Sequence, residues 1–100
     1  MYDNGQGVPQ DDKAAVKWYT RAAKQGNASA QYNLGFLYAN GHGVIQDYVR
    51  AHMWFNIAAS TGDKGAVNNR DKVAGVMTPA EIADAQKLAR ECVRKKYKGF

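Results

Sequence analysis

The stretch Tyr38-Ala39-Asn40-Gly41-His42-Gly43-Val44 decides the fold, because Tyr2-Asp3-Asn4-Gly5-Gln6-Gly7-Val8 stands 36 residues before it. Sliding the chain by this period aligns residues 2–37 with 38–73 without a gap. Gln10, Asp11, Ala15, Trp18, Ala22, Ala23, Gly26, Ala30 and Asn33 recur as Gln46, Asp47, Ala51, Trp54, Ala58, Ala59, Gly62, Ala66 and Asn69. Tyr19 becomes Phe55. A period of this length that pairs glycines with glycines and a tryptophan with a tryptophan signals an array of supersecondary units.

Each unit reads as two helices joined by a glycine turn. Asn27 is placed to cap a helix over about 28–39, Ala-Ser-Ala-Gln-Tyr-Asn-Leu-Gly-Phe-Leu-Tyr-Ala. Asn40-Gly41-His42-Gly43 breaks it, since glycine readily takes the positive φ that ends a helix. A second helix over about 46–60 repeats Tyr48, Ala51, Phe55 and Ala58 on one face, and Thr61-Gly62-Asp63 ends it. Its earlier copy, over about 11–25, carries Ala15, Tyr19, Ala22 and Ala23. Bulky rings alternating with paired alanines suit close helix packing.

A third copy starts at Gly65-Ala66-Val67-Asn68-Asn69-Arg70-Asp71-Lys72-Val73 and then departs from the pattern. Met77-Thr78-Pro79-Ala80-Glu81 follows, with Thr78 and Glu81 forming a capping box and Pro79 at the first helical position. The last helix is predicted over about 79–96. Ile82, Ala85, Ala89, Cys92 and Val93 form its expected inner face, and its charged remainder suits a terminal cap. The whole, 1–100, is one domain: repeat copies at 2–37 and 38–73, then a C-terminal capping segment at 74–100.

Composition agrees. Apolar residues make up 45% of the chain and there are only two prolines, which favours a small helical core. No apolar run reaches membrane-spanning length, so no membrane contact is expected. No basic segment followed by an apolar one opens the chain, which predicts no signal peptide and favours the cytoplasm. The single cysteine, Cys92, allows no internal disulfide. Net charge is +5, and the excess gathers at Arg94, Lys95, Lys96 and Lys98. Cations there complement the end of a helix, or form a patch for nucleic acid or an acidic partner.

These residues resemble the Sel-one-like repeat family, a branch of the tetratricopeptide-like solenoids. Ala30 through Tyr38, Asn40-Gly41-His42-Gly43-Val44, Asp47, Ala51, Trp54-Phe55 and Ala58-Ala59 carry the likeness, and Met77-Thr78-Pro79 through Glu91 is similar to the closing helix of bacterial members. The resemblance implies an all-α, short right-handed superhelix that serves as a scaffold for a protein or peptide partner. It also implies that the first helices of successive hairpins line a concave surface. That mapping brings Ser29, Tyr32, Asn33 and Phe36 to the groove, with Asn68, Asn69 and Lys72 from the third copy. Asn33 and Asn69 are then either a ladder of amides for a peptide backbone or braces between hairpins. Tyr32 and Phe36 are groove anchors or core.

Other chemistry finds less support. The Gly-x-Gly pairs lack the preceding strand of a phosphate-binding loop. His42, His52 and Cys92 are scattered, and in the other copy the two histidine slots hold Gln6 and Val16, so no metal or other cofactor is expected. His52 is expected at the surface or boundary of its helix. Asp11, Asp12 and Asp47 fit helix starts. Cys92 on an apolar face reads as inert packing, and no nucleophile has a base beside it, so the chain is not expected to be an enzyme. Family relatives that hydrolyse β-lactams carry paired cysteines that this chain lacks. Asn27-Ala28-Ser29 fits a glycosylation sequon and is read as coincidence. The helix at 11–25 lacks its own hairpin partner, so Trp18 and Tyr19 are expected to leave an open flank for a homodimer or a further repeat. The alternative function is an electrostatic one through the basic tail; nucleic acid is the less expected partner.

Overall fold

A computed structural model describes residues 12–60, 62 and 64–96. Every regular element among them is an α-helix: α1 (Asp12–Lys24), α2 (Ala28–Asn40), α3 (Tyr48–Ala59), α4 (Lys64–Ala74) and α5 (Pro79–Arg94). The chain is a short α-solenoid. Gly5, Gly7, Asp11, Thr61, Asp63 and Lys98 lie outside the described residues.

Local chemistry sets the helix ends. The Asn27 side chain accepts from the Ala30 N–H at 2.9 Å and opens α2. Gly41 (φ 69°) closes that helix, and His42 N–H donates to the Leu37 carbonyl. The loop then folds back along α2: Asp47 N–H reaches the Tyr38 carbonyl at 3.0 Å, and Gln46 Nε2 the Ala39 carbonyl at 2.9 Å. Asp47 caps α3 by accepting from Arg50 N–H. Thr78 and Glu81 exchange the reciprocal bonds of a capping box, 3.1 and 2.8 Å, ahead of Pro79.

Gly43 shows why the turn repeats. Its φ is 77°, and a Cβ there would overlap the Asp12 carbonyl and come within 2.9 Å of the Lys13 nitrogen. The turn after α2 is thus pressed against the start of α1. Only glycine permits both the conformation and the approach.

The core sits around α3. Seven of its twelve residues are buried, and α2, α4 and α5 all pack on it. One cluster joins Trp54, Met53 and Ile57 to Ala23, Ala30, Leu34, Ala89 and Cys92. The other joins Ala51 and Phe55 to Val73, Met77 and Ala85. Gly35 lets α2 and α3 touch: a Cβ there would meet two ring carbons of Phe55 at 2.9 Å and the Ala51 carbonyl at 3.1 Å. The buried Gln31 donates from Nε2 to the Ala23 carbonyl at 3.1 Å, which also accepts from Gly26 N–H at 3.0 Å, and so ties α2 to the end of α1.

Two expectations are corrected. His52 is not at a boundary: it is 3% exposed, in the middle of the helix that α4 and α5 both cover. Val93 is not on the inner face of α5: it is 51% exposed, beyond the arc of Ala85, Ala89 and Cys92 that meets α3.

Candidate peptide-binding face

On α2, the spacing of Ser29, Tyr32, Asn33 and Phe36 puts all four on one side of the helix. Ser29 and Phe36 are exposed, Phe36 by 46%, while Tyr32 and Asn33 are half-buried. On α4, Asn68 and Lys72 are exposed and Asn69 is half-buried. A hydrogen bond connects the two helices: Asn69 Nδ2 donates to the Tyr32 hydroxyl at 2.9 Å. The Tyr32 ring leans on Phe55, centroids 5.7 Å apart and planes inclined at 56°. Tyr32 therefore serves packing with its ring and bridging with its hydroxyl.

The two repeat-related asparagines are used differently. Asn69 spends both amide hydrogens, one on Tyr32 and one on the Gly65 carbonyl at 3.0 Å. It braces neighbouring hairpins and keeps only its oxygen for another partner. Asn33 Nδ2 donates only to Ser29 O at 2.9 Å, within its own helix. One N–H and the carbonyl oxygen of Asn33 are left toward solvent.

The other sequence-derived candidates are separated. Among the described residues no three His, Cys, Asp or Glu side chains gather as metal ligands. Cys92 is fully buried, and burial pushes its thiol up to about 11, against the smaller opposing pull of Lys24 and Arg50. A thiol with that pKa is mostly protonated and unreactive at neutral pH. Burial holds the His52 imidazole below its ordinary value, Arg70 adds to this, and Asp71 partly offsets it. His42 is exposed on the turn. Lys95 and Lys96 are exposed beyond α5.

Trp18 and Trp54 occupy the same repeat slot in opposite surroundings. Trp54 is 1% exposed and Trp18 51%. Tyr19, beside Trp18, turns inward and packs on the cluster around Trp54, and burial raises its pKa. The flank of α1 that remains open holds Trp18, Arg21, Ala22 and Gln25. Sequence reasoning had no signal for a different feature, a groove between α3 and α5 that includes Ile57, Ala89 and Val93. It depends on how two separate helices meet. No described helix is long and apolar enough to cross a membrane.

A search of curated proteins returned no match. Among solved structures, the chain is similar to c5321, a protective antigen of uropathogenic Escherichia coli strains that displays an SLR fold. The TM-score is 0.84 and the identity 30%, over 94% of this chain. The chain spans 21% of that protein's length. A sequence profile of the Sel1 repeat matches residues 1–27 and 28–63, so the chain belongs to the Sel1 repeat family.

Proposed function

We propose that this chain is a peptide-binding scaffold whose α2–α4 face grips an extended segment of a partner protein. Repeats of this family generally serve as protein-interaction scaffolds. What supports the reading is the Tyr32–Asn69 bond, which joins α2 and α4 into one surface. Phe36 stands on that surface as an exposed aromatic anchor. Ser29, Asn33, Asn68 and Lys72 surround it with hydrogen-bonding groups, and Asn69 adds one acceptor oxygen. Such a surface works by contact, with no nucleophile or metal involved.

A peptide library displayed on phage and panned against the chain would supply ligands. Each enriched peptide would then be titrated against wild type, Phe36→Ala and Asn33→Ala. Loss of about tenfold in affinity with an unchanged melting temperature is expected for a contact residue. Peptides that bind both variants as tightly as wild type would refute the assignment.

A second copy of the chain is the partner proposed for the open flank of α1. The observation that favours it is the contrast between Trp18 and Trp54, since the same slot is covered in one repeat and open in the other. The electrostatic alternative predicts a steep loss of affinity with salt and with Lys95, Lys96 and Lys98 changed to Glu. A face built on Phe36 and Asn33 predicts little response to either.

A further inference from the structure

The C-terminal halves of α3 and α5 enclose an open groove of about 430 Å³, lined by Asn56, Ile57, Ser60, Ala89, Arg90, Val93 and Arg94. It shares no residue with the α2–α4 face. Its apolar part comes from Ile57, Ala89 and the exposed Val93. Two arginines stand on it four residues apart, one turn of α5, so both lie on the same side of the helix. Among the described residues no carboxylate lines the groove, and neither Arg90 nor Arg94 has an ion-pair partner.

The polar groups there are biased toward donation. Arg70 Nη1 donates to the Asn56 Oδ1 at 3.3 Å, which leaves the Asn56 amide nitrogen to face a ligand as a donor. The Ser60 hydroxyl is the exception, since it spends its hydrogen on the Ile57 carbonyl at 2.6 Å and offers a ligand only lone pairs. Both guanidiniums can only donate. The groove therefore matches an occupant that is rich in acceptors and carries an aliphatic group. Nucleic acid fits it poorly, because among the described residues no aromatic ring lines it for a base to stack on. The partial negative charge at the end of α5 is about half an elementary charge, and Arg90, Arg94, Lys95 and Lys96 outweigh it locally.

We infer that this groove is a second docking site, for an acidic peptide segment that seats an aliphatic side chain on Ile57, Ala89 and Val93 and sets its carboxylates against Arg90 and Arg94. The volume lies at the lower end of the range for ligand pockets, enough for one or two side chains rather than a folded domain.

The test uses a fluorescein-labelled peptide of paired leucines flanked by glutamates, followed by anisotropy at low and high salt. Two counterparts replace every glutamate with glutamine, or every leucine with serine. Labelled oligothymidine is the nucleic-acid arm. The glutamate–leucine peptide is expected to bind, more weakly as salt rises, and each counterpart to bind at least about tenfold more weakly. Arg90→Glu with Arg94→Glu should cost about tenfold, two exposed charge contacts at the upper end of their usual worth. The same double variant should instead accept a lysine–leucine peptide. Val93→Asp should abolish binding without changing the melt, and Phe36→Ala should leave binding unaltered. The inference is overturned if the glutamine peptide binds as well as the glutamate one. It is also overturned if the arginine swap has no effect, if Phe36→Ala removes binding, or if oligothymidine alone binds.

Discussion

Removing the Asn69 side chain tests whether the recurring asparagine is a brace. Asn69→Ala deletes two half-buried hydrogen bonds, to the Tyr32 hydroxyl at 2.9 Å and to Gly65 O at 3.0 Å. Each is worth about 0.5–1.5 kcal/mol net. Alanine returns about half a kcal/mol of helix propensity in α4. The expected loss is about 1.5 kcal/mol, or about 6–12 °C in melting temperature for a domain of this size. Tyr32→Phe keeps the ring against Phe55 and removes only the hydroxyl, so it should cost about 1 kcal/mol. The double variant should lose about 0.5–1.5 kcal/mol less than the two singles summed, because both singles break the same bond. Asn33→Ala is the control. It deletes one exposed bond within its own helix, so the propensity gain should leave stability almost unchanged. Urea unfolding followed by far-UV circular dichroism measures all four. Additivity of Asn69→Ala and Tyr32→Phe to within about 0.3 kcal/mol would refute the bridge. So would an Asn33→Ala loss as large as that of Asn69→Ala.

Gly43→Val should lower the melting temperature by far more than His42→Ala, since it imposes a β-branched residue at φ 77° and drives its Cβ into the Asp12–Lys13 backbone; equal melts would contradict the turn geometry. His52 is held neutral by burial, so its folded pKa lies below the unfolded value of 6.5. Below pH 6.5 the unfolded chain takes up a proton that the folded one refuses, so stability should fall with pH there and be fully present above it. His52→Gln should flatten that part of the melting-temperature profile, and a profile identical to wild type would exclude His52 as the cause. For the proposed homodimer, Trp18→Glu should shift the mass measured by light scattering from dimer toward monomer; a wild-type monomer at high concentration would remove the proposal.

Helix placement was legible because its signals are local. Asn27, Asp47, and Thr78 with Glu81 are caps whose chemistry acts within three residues. The period of 36 supplied the hairpins without any knowledge of contacts. The burial of His52 was misread although a signal existed: its partner slot in the alignment is Val16, an apolar residue, so an imidazole there replaces a packed side chain. Val93 was misread because helical spacing alone does not say how wide a strip of α5 meets α3. Gly35 carried a hint, since a glycine inside a helix costs about 1 kcal/mol and needs a packing reason. That reason, the Phe55 ring, sits on another helix. The split between Asn33 and Asn69 is illegible in principle from the period, because the alignment makes them equivalent and only the presence of Tyr32 beside one of them tells them apart. The α3–α5 groove depends in the same way on two helices meeting across a turn and a helix of intervening chain.

The pair Trp18 and Trp54 has a spectroscopic consequence. An indole sealed in a dry interior emits at shorter wavelength than one wetted by solvent. With one tryptophan 1% exposed and the other 51%, the chain carries two fluorophores that report on different events. Emission from Trp54 follows the integrity of the fold, because it is wetted only when the packing around Met53, Ile57 and Cys92 opens. Emission from Trp18 follows what lies against α1, and it can shift to the blue with no change in fold at all. Replacing either one with phenylalanine isolates the other, so the unlabelled protein can be watched folding and associating on separate optical channels.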